Sequence, residues 1–152
     1  MLDLEQLKTI KKLKMHKSVN EIELLDIPKI ADIRGNLAVI EKKLLSYKIE
    51  RVYFLYDVPS DSHRGGHAHK EQMEFLIPVS GSFDVILDDG TSKKVFSLNK
   101  PNKGLLIPTG MWRELGNFSS GSVCLVLSSA EYLEDDYIRS YDEYLQWKRN
   151  QL

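Results

Sequence analysis

The sequence predicts an all-β fold, a sandwich, jelly roll or barrel with a helix at each end. Short apolar runs recur from Glu21 to Ser129, small turn-forming clusters separate several of them, and helical spacing is confined to the termini. Many short strands at regular spacing belong to double-sheet or closed β architectures.

Residues 1–20 read as a separate helical extension, because Leu4, Leu7, Ile10 and Leu13 recur at helical spacing among lysines. The expected role is packing on the barrel or on a second subunit. The apolar face lacks the aromatic anchor of a membrane-surface helix. Strands are expected over residues 22–27, 37–41, 51–57, 74–80, 83–87, 93–98, 104–107, 112–118 and 123–128. Asp88-Asp89-Gly90-Thr91 is a hairpin signal, and Ser80-Gly81-Ser82 and Ser119-Ser120-Gly121-Ser122 are similar turns. Pro78 removes a ladder donor, so its strand must be at an edge or bulged there. Residues 130–136 are acidic; Tyr137, Ile138, Tyr141, Tyr144, Leu145 and Trp147 then fit a C-terminal helix of about three turns, packed on the outside of the barrel. Residues 21–152 thus form one domain.

The 152 residues, 42% hydrophobic and 28% charged, suit one soluble domain. A formal net charge of −1 leaves no basic excess for nucleic acid. A few local arginines would still hold a phosphorylated small molecule. The single cysteine, Cys124, lies in an apolar strand and reads as a core residue. No signal-peptide stretch or membrane-length apolar run is present, so the expected compartment is the reducing cytoplasm.

Chemistry concentrates in Ser62-His63-Arg64-Gly65-Gly66-His67-Ala68-His69-Lys70, which holds three of the four histidines. Residues two apart in a strand share a face, so His67 and His69 project together. His67-Ala68-His69, four residues, Glu74, six residues and Gly81 match the first cupin motif. Pro108-Thr109-Gly110-Met111-Trp112-Arg113-Glu114-Leu115-Gly116-Asn117 matches the second, with Arg113 in place of the expected histidine. Arginine has no lone pair for a metal, so Arg113 points to an anion or a carbonyl oxygen instead.

Within the cupins the chain resembles the sugar 3,4-ketoisomerases that act on dTDP-4-keto-6-deoxyglucose (WxcM-like). The resemblance runs from about Pro28 to Leu145. It rests on Asp32-Ile33-Arg34-Gly35, Arg51-Val52-Tyr53, Arg64 to Lys70, Val85-Ile86-Leu87-Asp88-Asp89-Gly90 and Asp136-Tyr137-Ile138-Arg139-x-Tyr141-Asp142. It implies a cupin jelly-roll β-barrel and a metal-independent, cofactor-free isomerase. It also implies a homodimer supplying precursors of deoxyamino sugars for surface polysaccharide. The edges of a short barrel favour a dimer, by pairing with a second copy or by exchange of N-terminal strands. The implied reaction moves a carbonyl from C4 to C3 through an enediol(ate).

Motif for motif, His67 and His69 take the proton transfers, for which imidazole is suited near neutral pH. Tyr53 is the candidate hydroxyl donor at the sugar oxygens. Arg34, Arg64 and Arg113, and less strongly Arg51, are candidate contacts for the diphosphate or the keto-sugar. Trp112 is expected to pack outside the site. Position 74 is often Gln in this family and is Glu here. The alternatives left open are a metal-dependent oxygenase ligated by His67, His69 and Glu74, and a non-catalytic sugar-binding cupin. The chain has no Gly-x-Gly-x-x-Gly element or P-loop.

Overall fold

Alternating burial along the strands builds two facing sheets. The computed structural model describes residues 1–8, 18–41 and 43–151. Among these, twelve strands form: β1 (Leu24–Asp26), β2 (Lys29–Asp32), β3 (Gly35–Ala38), β4 (Arg51–Leu55), β5 (Arg64–His69) and β6 (Glu74–Ser80), then β7 (Phe83–Asp88), β8 (Lys93–Leu98), β9 (Lys103–Ile107), β10 (Trp112–Gly116), β11 (Val123–Ser128) and β12 (Tyr137–Ile138). One sheet has the order β1-β9-β6-β11-β4, the other β12-β5-β10-β7-β8, and β2 and β3 form a separate hairpin. The observed pairings are antiparallel. The cupin-like jelly roll is therefore a two-sheet sandwich whose edges are not hydrogen-bonded into a closed barrel.

The inward faces share one core. Leu76, Leu105, Ile107, Cys124 and Val126 from the first sheet meet Phe83, Val85, Leu87, Phe96, Leu98 and Leu115 from the second, and Met111, just before β10, joins them. Buried apolar area of this kind is the main favourable contribution to folding. Towards β4 and β5 polar side chains replace apolar ones, and the sandwich opens into a cavity. The outer face of the first sheet is covered by Leu44, Leu45 and Tyr47 packed with Phe75, Ile77 and Leu127. The outer face of the second is covered by the C-terminal helix (Tyr141–Asn150), whose Tyr144 packs with Ala68, Trp112 and Ile138. Trp112 is thus outside the cavity, and Cys124 is buried.

The structure differs from the sequence expectation at several elements. The C-terminal helix begins at Tyr141 with Ser140 as its cap; Tyr137 and Ile138 instead pair with His69 and Ala68. Strand β2 is additional, and β3 ends at Ala38. Pro78 sits at a bulge, where the register of β11 on β6 slips between Val123 and Cys124, which accommodates its missing donor. In the N-terminal extension residues 4–8 are helical, and Leu4 and Leu7 are exposed rather than packed on the sandwich. Ile10 and Leu13 lie outside the described residues.

Candidate active site

The cavity, about 160 Å³, is lined by Tyr53, Leu55, Arg64, Gly65, His67, Glu74, Leu76, Arg113, Leu115 and Val126. Alternation places most of these. Tyr53 and Leu55 are the inward residues of β4; Tyr53 pairs with Val126, which pairs in turn with Leu76. Arg113 and Leu115 share a face of β10.

Arg64 and His67 are three residues apart, and a regular strand would send them to opposite faces. The register shows how both reach the cavity. Leu115 pairs with Arg64 and Arg113 with His67, so three steps on β5 match two on β10. The extra residue makes a β-bulge at Gly65-Gly66. Both glycines have positive φ, +99° and +42°. A Cβ on Gly65 would stand 3.2 Å from the Arg113 carbonyl oxygen, so glycine is required there.

At the centre is Glu74, 1% exposed. Its Oε1 accepts from Arg113 Nη1 at 2.6 Å and lies 3.2 Å from His69 Nε2. Its Oε2 accepts from the Tyr53 hydroxyl at 2.5 Å and from Ser128 Oγ at 3.2 Å. Burial pushes the Glu74 carboxyl up, but hydrogen bonding to His69 and the Arg113 charge outweigh it and hold the group well below the ordinary carboxylate range. Burial, then the charge of Glu74, push the Tyr53 hydroxyl far up. Tyr53 therefore keeps its proton and directs it at Glu74. Tyr53, expected as a donor to the sugar, lines the cavity with its hydroxyl proton committed to Glu74.

His67 lines the cavity, and His69, 0% exposed, lies behind it. Their Nε2 atoms are 3.1 Å apart. His67 Nδ1 is 2.5 Å from the Gly65 carbonyl, which can only accept, so Nδ1 carries the His67 proton. Burial first, and the Arg113 charge second, lower the His67 pKa to about 3. Its ring is a neutral base with its lone pair on Nε2. His69 Nδ1 is 2.9 Å from Asp136 Oδ2.

Of the arginines expected at the site, Arg64 and Arg113 line the cavity. Arg113 is 1% exposed and also donates to the Met111 carbonyl at 3.0 Å. Arg51 stacks over the Tyr53 ring, 4.5 Å from its centroid, and donates to the Tyr137 hydroxyl at 3.4 Å. Arg34 is at the turn of the β2–β3 hairpin, its side chain 86% exposed and paired with Asp32 at 2.6 Å, away from this cavity. Asp136, Ser128 and Tyr137 belong to the network without having been singled out for it. Asp136 was within a motif that carried the resemblance, but it closes an acidic run that resembles a solvated surface.

Among the described residues His67, His69 and Glu74 are the group whose donor atoms converge, within 4.8 Å of one another. The set does not suit a cation. Both Glu74 oxygens are already engaged, and the Arg113 guanidinium occupies the position beside Oε1.

A jelly roll holding a neutral imidazole at the wall of a small polar cavity, backed by a second histidine, is a cupin-type site whose groups suit acid–base chemistry. The chain matches the family FdtA (WxcM-like, C-terminal) over residues 20–149. It is 41% identical over 125 residues to a TDP-4-oxo-6-deoxy-α-D-glucose-3,4-oxoisomerase of Aneurinibacillus thermoaerophilus, covering 82% of this chain and 90% of that one. A 3,4-ketoisomerase from Helicobacter canadensis superposes with a TM-score of 0.82 at 43% identity, over 85% of this chain and 98% of that one. A histidine-to-asparagine mutant of the 3,4-ketoisomerase QdtA from Thermoanaerobacterium thermosaccharolyticum, solved with TDP-4-keto-6-deoxyglucose, gives 0.84 at 37% identity, over 88% and 97%. The chain belongs to the FdtA, WxcM-like family and is an isomerase.

Proposed function

We propose that the protein converts dTDP-4-keto-6-deoxyglucose to the 3-keto isomer. The observation that carries this is His67, a neutral imidazole at the cavity wall whose Nε2 carries the lone pair and lies 3.1 Å from His69 Nε2. His67 removes the proton from C3. The electrons pass to the C4 carbonyl oxygen, giving an enediolate. The C3 hydroxyl loses its proton as the C3 carbonyl forms; a proton returns to C4 and another to the C4 oxygen. No redox cofactor is needed, since the oxidation level is unchanged. Arg113 offers fixed positive charge to the developing enolate. His69 exchanges its proton through His67, because the cavity wall separates it from the sugar.

Arg64 has no partner among the described residues and lines the cavity, which suits a diphosphate oxygen. The compartment is the cytoplasm, and the assembly is a homodimer. The β2–β3 hairpin, with exposed Ile30, Ile33 and Leu37, and the edge strand β4, with exposed Val52 and Phe54 and Tyr56 just beyond its end, support pairing with a second copy. Exchange of the hairpin would carry Arg34 toward the partner's cavity. Light scattering of the purified protein tests the dimer.

The decisive assay is proton NMR with dTDP-4-keto-6-deoxyglucose in deuterated buffer containing a chelator. The expected result is a 3-keto sugar deuterated at C4, and no turnover by His67→Asn, which still binds dTDP. Conversion only after addition of iron would replace this reading with the metal-dependent one.

A further inference from the structure

Asp136 does not line the cavity, yet its carboxylate is buried and held by several partners behind it. It is 6% exposed. Oδ1 accepts the Glu71 backbone N–H at 2.7 Å; Oδ2 faces His69 Nδ1 at 2.9 Å and the Gln72 N–H at 3.4 Å. The residue's own carbonyl accepts the Lys70 N–H at 2.9 Å, and the next residue, Tyr137, pairs with His69 across β12 and β5. Both the carboxylate and the imidazole are thereby tied to the same strand end and cannot drift apart.

We infer that Asp136 is a positioning residue for the isomerisation, fixing the tautomer and ring orientation of His69. An ionised carboxylate only accepts, so His69 must place a proton on Nδ1. The opposite tautomer would set the Nδ1 lone pair 2.9 Å from an Asp136 oxygen, closer than Nε2 stands to Glu74 Oε1 at 3.2 Å. With Nδ1 committed, Nε2 is the one atom of His69 that exchanges a proton, and it faces His67 Nε2 at 3.1 Å. A carboxylate behind a histidine is a general means of choosing which ring nitrogen does the work. His69 without this anchor could rotate or protonate at Nε2 alone, and the route to His67 would be lost. Burial raises the Asp136 carboxyl, but hydrogen bonds from His69 and from the Glu71 amide win, and the group stays below its ordinary range.

This inference rests on the isomerase reading, and the experiment separates the two. Protein labelled with 15N in its histidines is studied by long-range proton–nitrogen correlation, with His69 assigned by loss of its signals in His69→Gln. The expected spectrum shows His69 protonated at Nδ1, with a changed pattern in Asp136→Asn. The same variant should lose about 100-fold in kcat, the size of an acid–base contribution, with KM and dTDP binding unchanged. A wild-type His69 protonated only at Nε2, or an Asp136→Asn variant with wild-type kcat, overturns the inference. Should that variant fail to fold, the wild-type spectrum decides alone. Nδ1 protonation without any turnover would overturn the isomerase reading and leave the positioning role standing.

Discussion

Replacing Glu74 by glutamine tests whether one carboxylate holds the polar end of the sandwich together. Three donors converge on it, Arg113 at 2.6 Å, Tyr53 at 2.5 Å and Ser128 at 3.2 Å, and His69 Nε2 lies 3.2 Å away. An amide offers one oxygen and one NH2. The oxygen can keep Arg113, and Tyr53 and Ser128 can turn to accept from the NH2, but Arg113 then stands 1% exposed without a counter-ion. Breaking a buried ion pair on one side costs about 3–5 kcal/mol, and the retained amide oxygen puts this case near about 3. For a chain of this size that lowers the melting temperature by about 6–12 °C, read by circular dichroism at pH 7. The folded-state pKa of Glu74 is below its ordinary 4.5. Its stabilisation is therefore fully present above 4.5 and is lost as pH falls toward the folded value, so the two melting curves should converge in acid. Replacing Arg113 by methionine as well should cost less than the sum of the single changes. A Glu74→Gln protein melting within about 2 °C of wild type at pH 7, or a gap that persists in acid, would refute the reasoning.

Arg64→Gln should weaken dTDP binding about tenfold with kcat retained, since it removes a charged contact and leaves His67 in place; calorimetry and steady-state kinetics read the two effects. His67, ordinarily near 6.5 and pushed down to about 3, should keep neutral-imidazole resonances down to about pH 5 in an NMR titration. By the same displacement its contribution to stability is complete above 6.5 and declines as pH falls below it, so chemical denaturation midpoints should drop across that window. Gly65→Ala forces a Cβ against the Arg113 carbonyl at a φ of +99° and should cost about 1–3 kcal/mol, with substrate affinity falling as Arg64 shifts. A variant equal to wild type in both would show that the bulge tolerates a side chain.

Most of the strands were legible because their apolar residues alternate and glycine-rich turns punctuate them. The histidine strand was legible through spacing, and Trp112 through its parity with Arg113. The features that were not legible depend on partners distant in sequence. Tyr137 and Ile138 look helical beside Tyr141 and Tyr144, but they border β5, where strand pairing overrides local periodicity. Ser128 and Asp136 acquire meaning only when β6 and β5 bring Glu74 and His69 to them. His69 shares a face with His67, as its spacing implies, yet depth separates their roles, and depth is not written in a period of two. Arg34 is part of a motif near Gly35, but among the described residues the hairpin that carries it forms a sheet of its own.

The bulge at Gly65-Gly66 can be viewed as a shift of phase. A strand is a two-stroke repeat, and a residue inserted into it moves the downstream side chains by half a cycle relative to the upstream ones. Upstream of the bulge the chain carries a free cation, downstream a neutral base, and only the inserted half-cycle brings both to one side. Drawing the same residues out into a regular strand, with both glycines kept, would leave either half in good order and put them out of step. The anion would then be held on one surface and the proton taken from the other, although no functional side chain had changed.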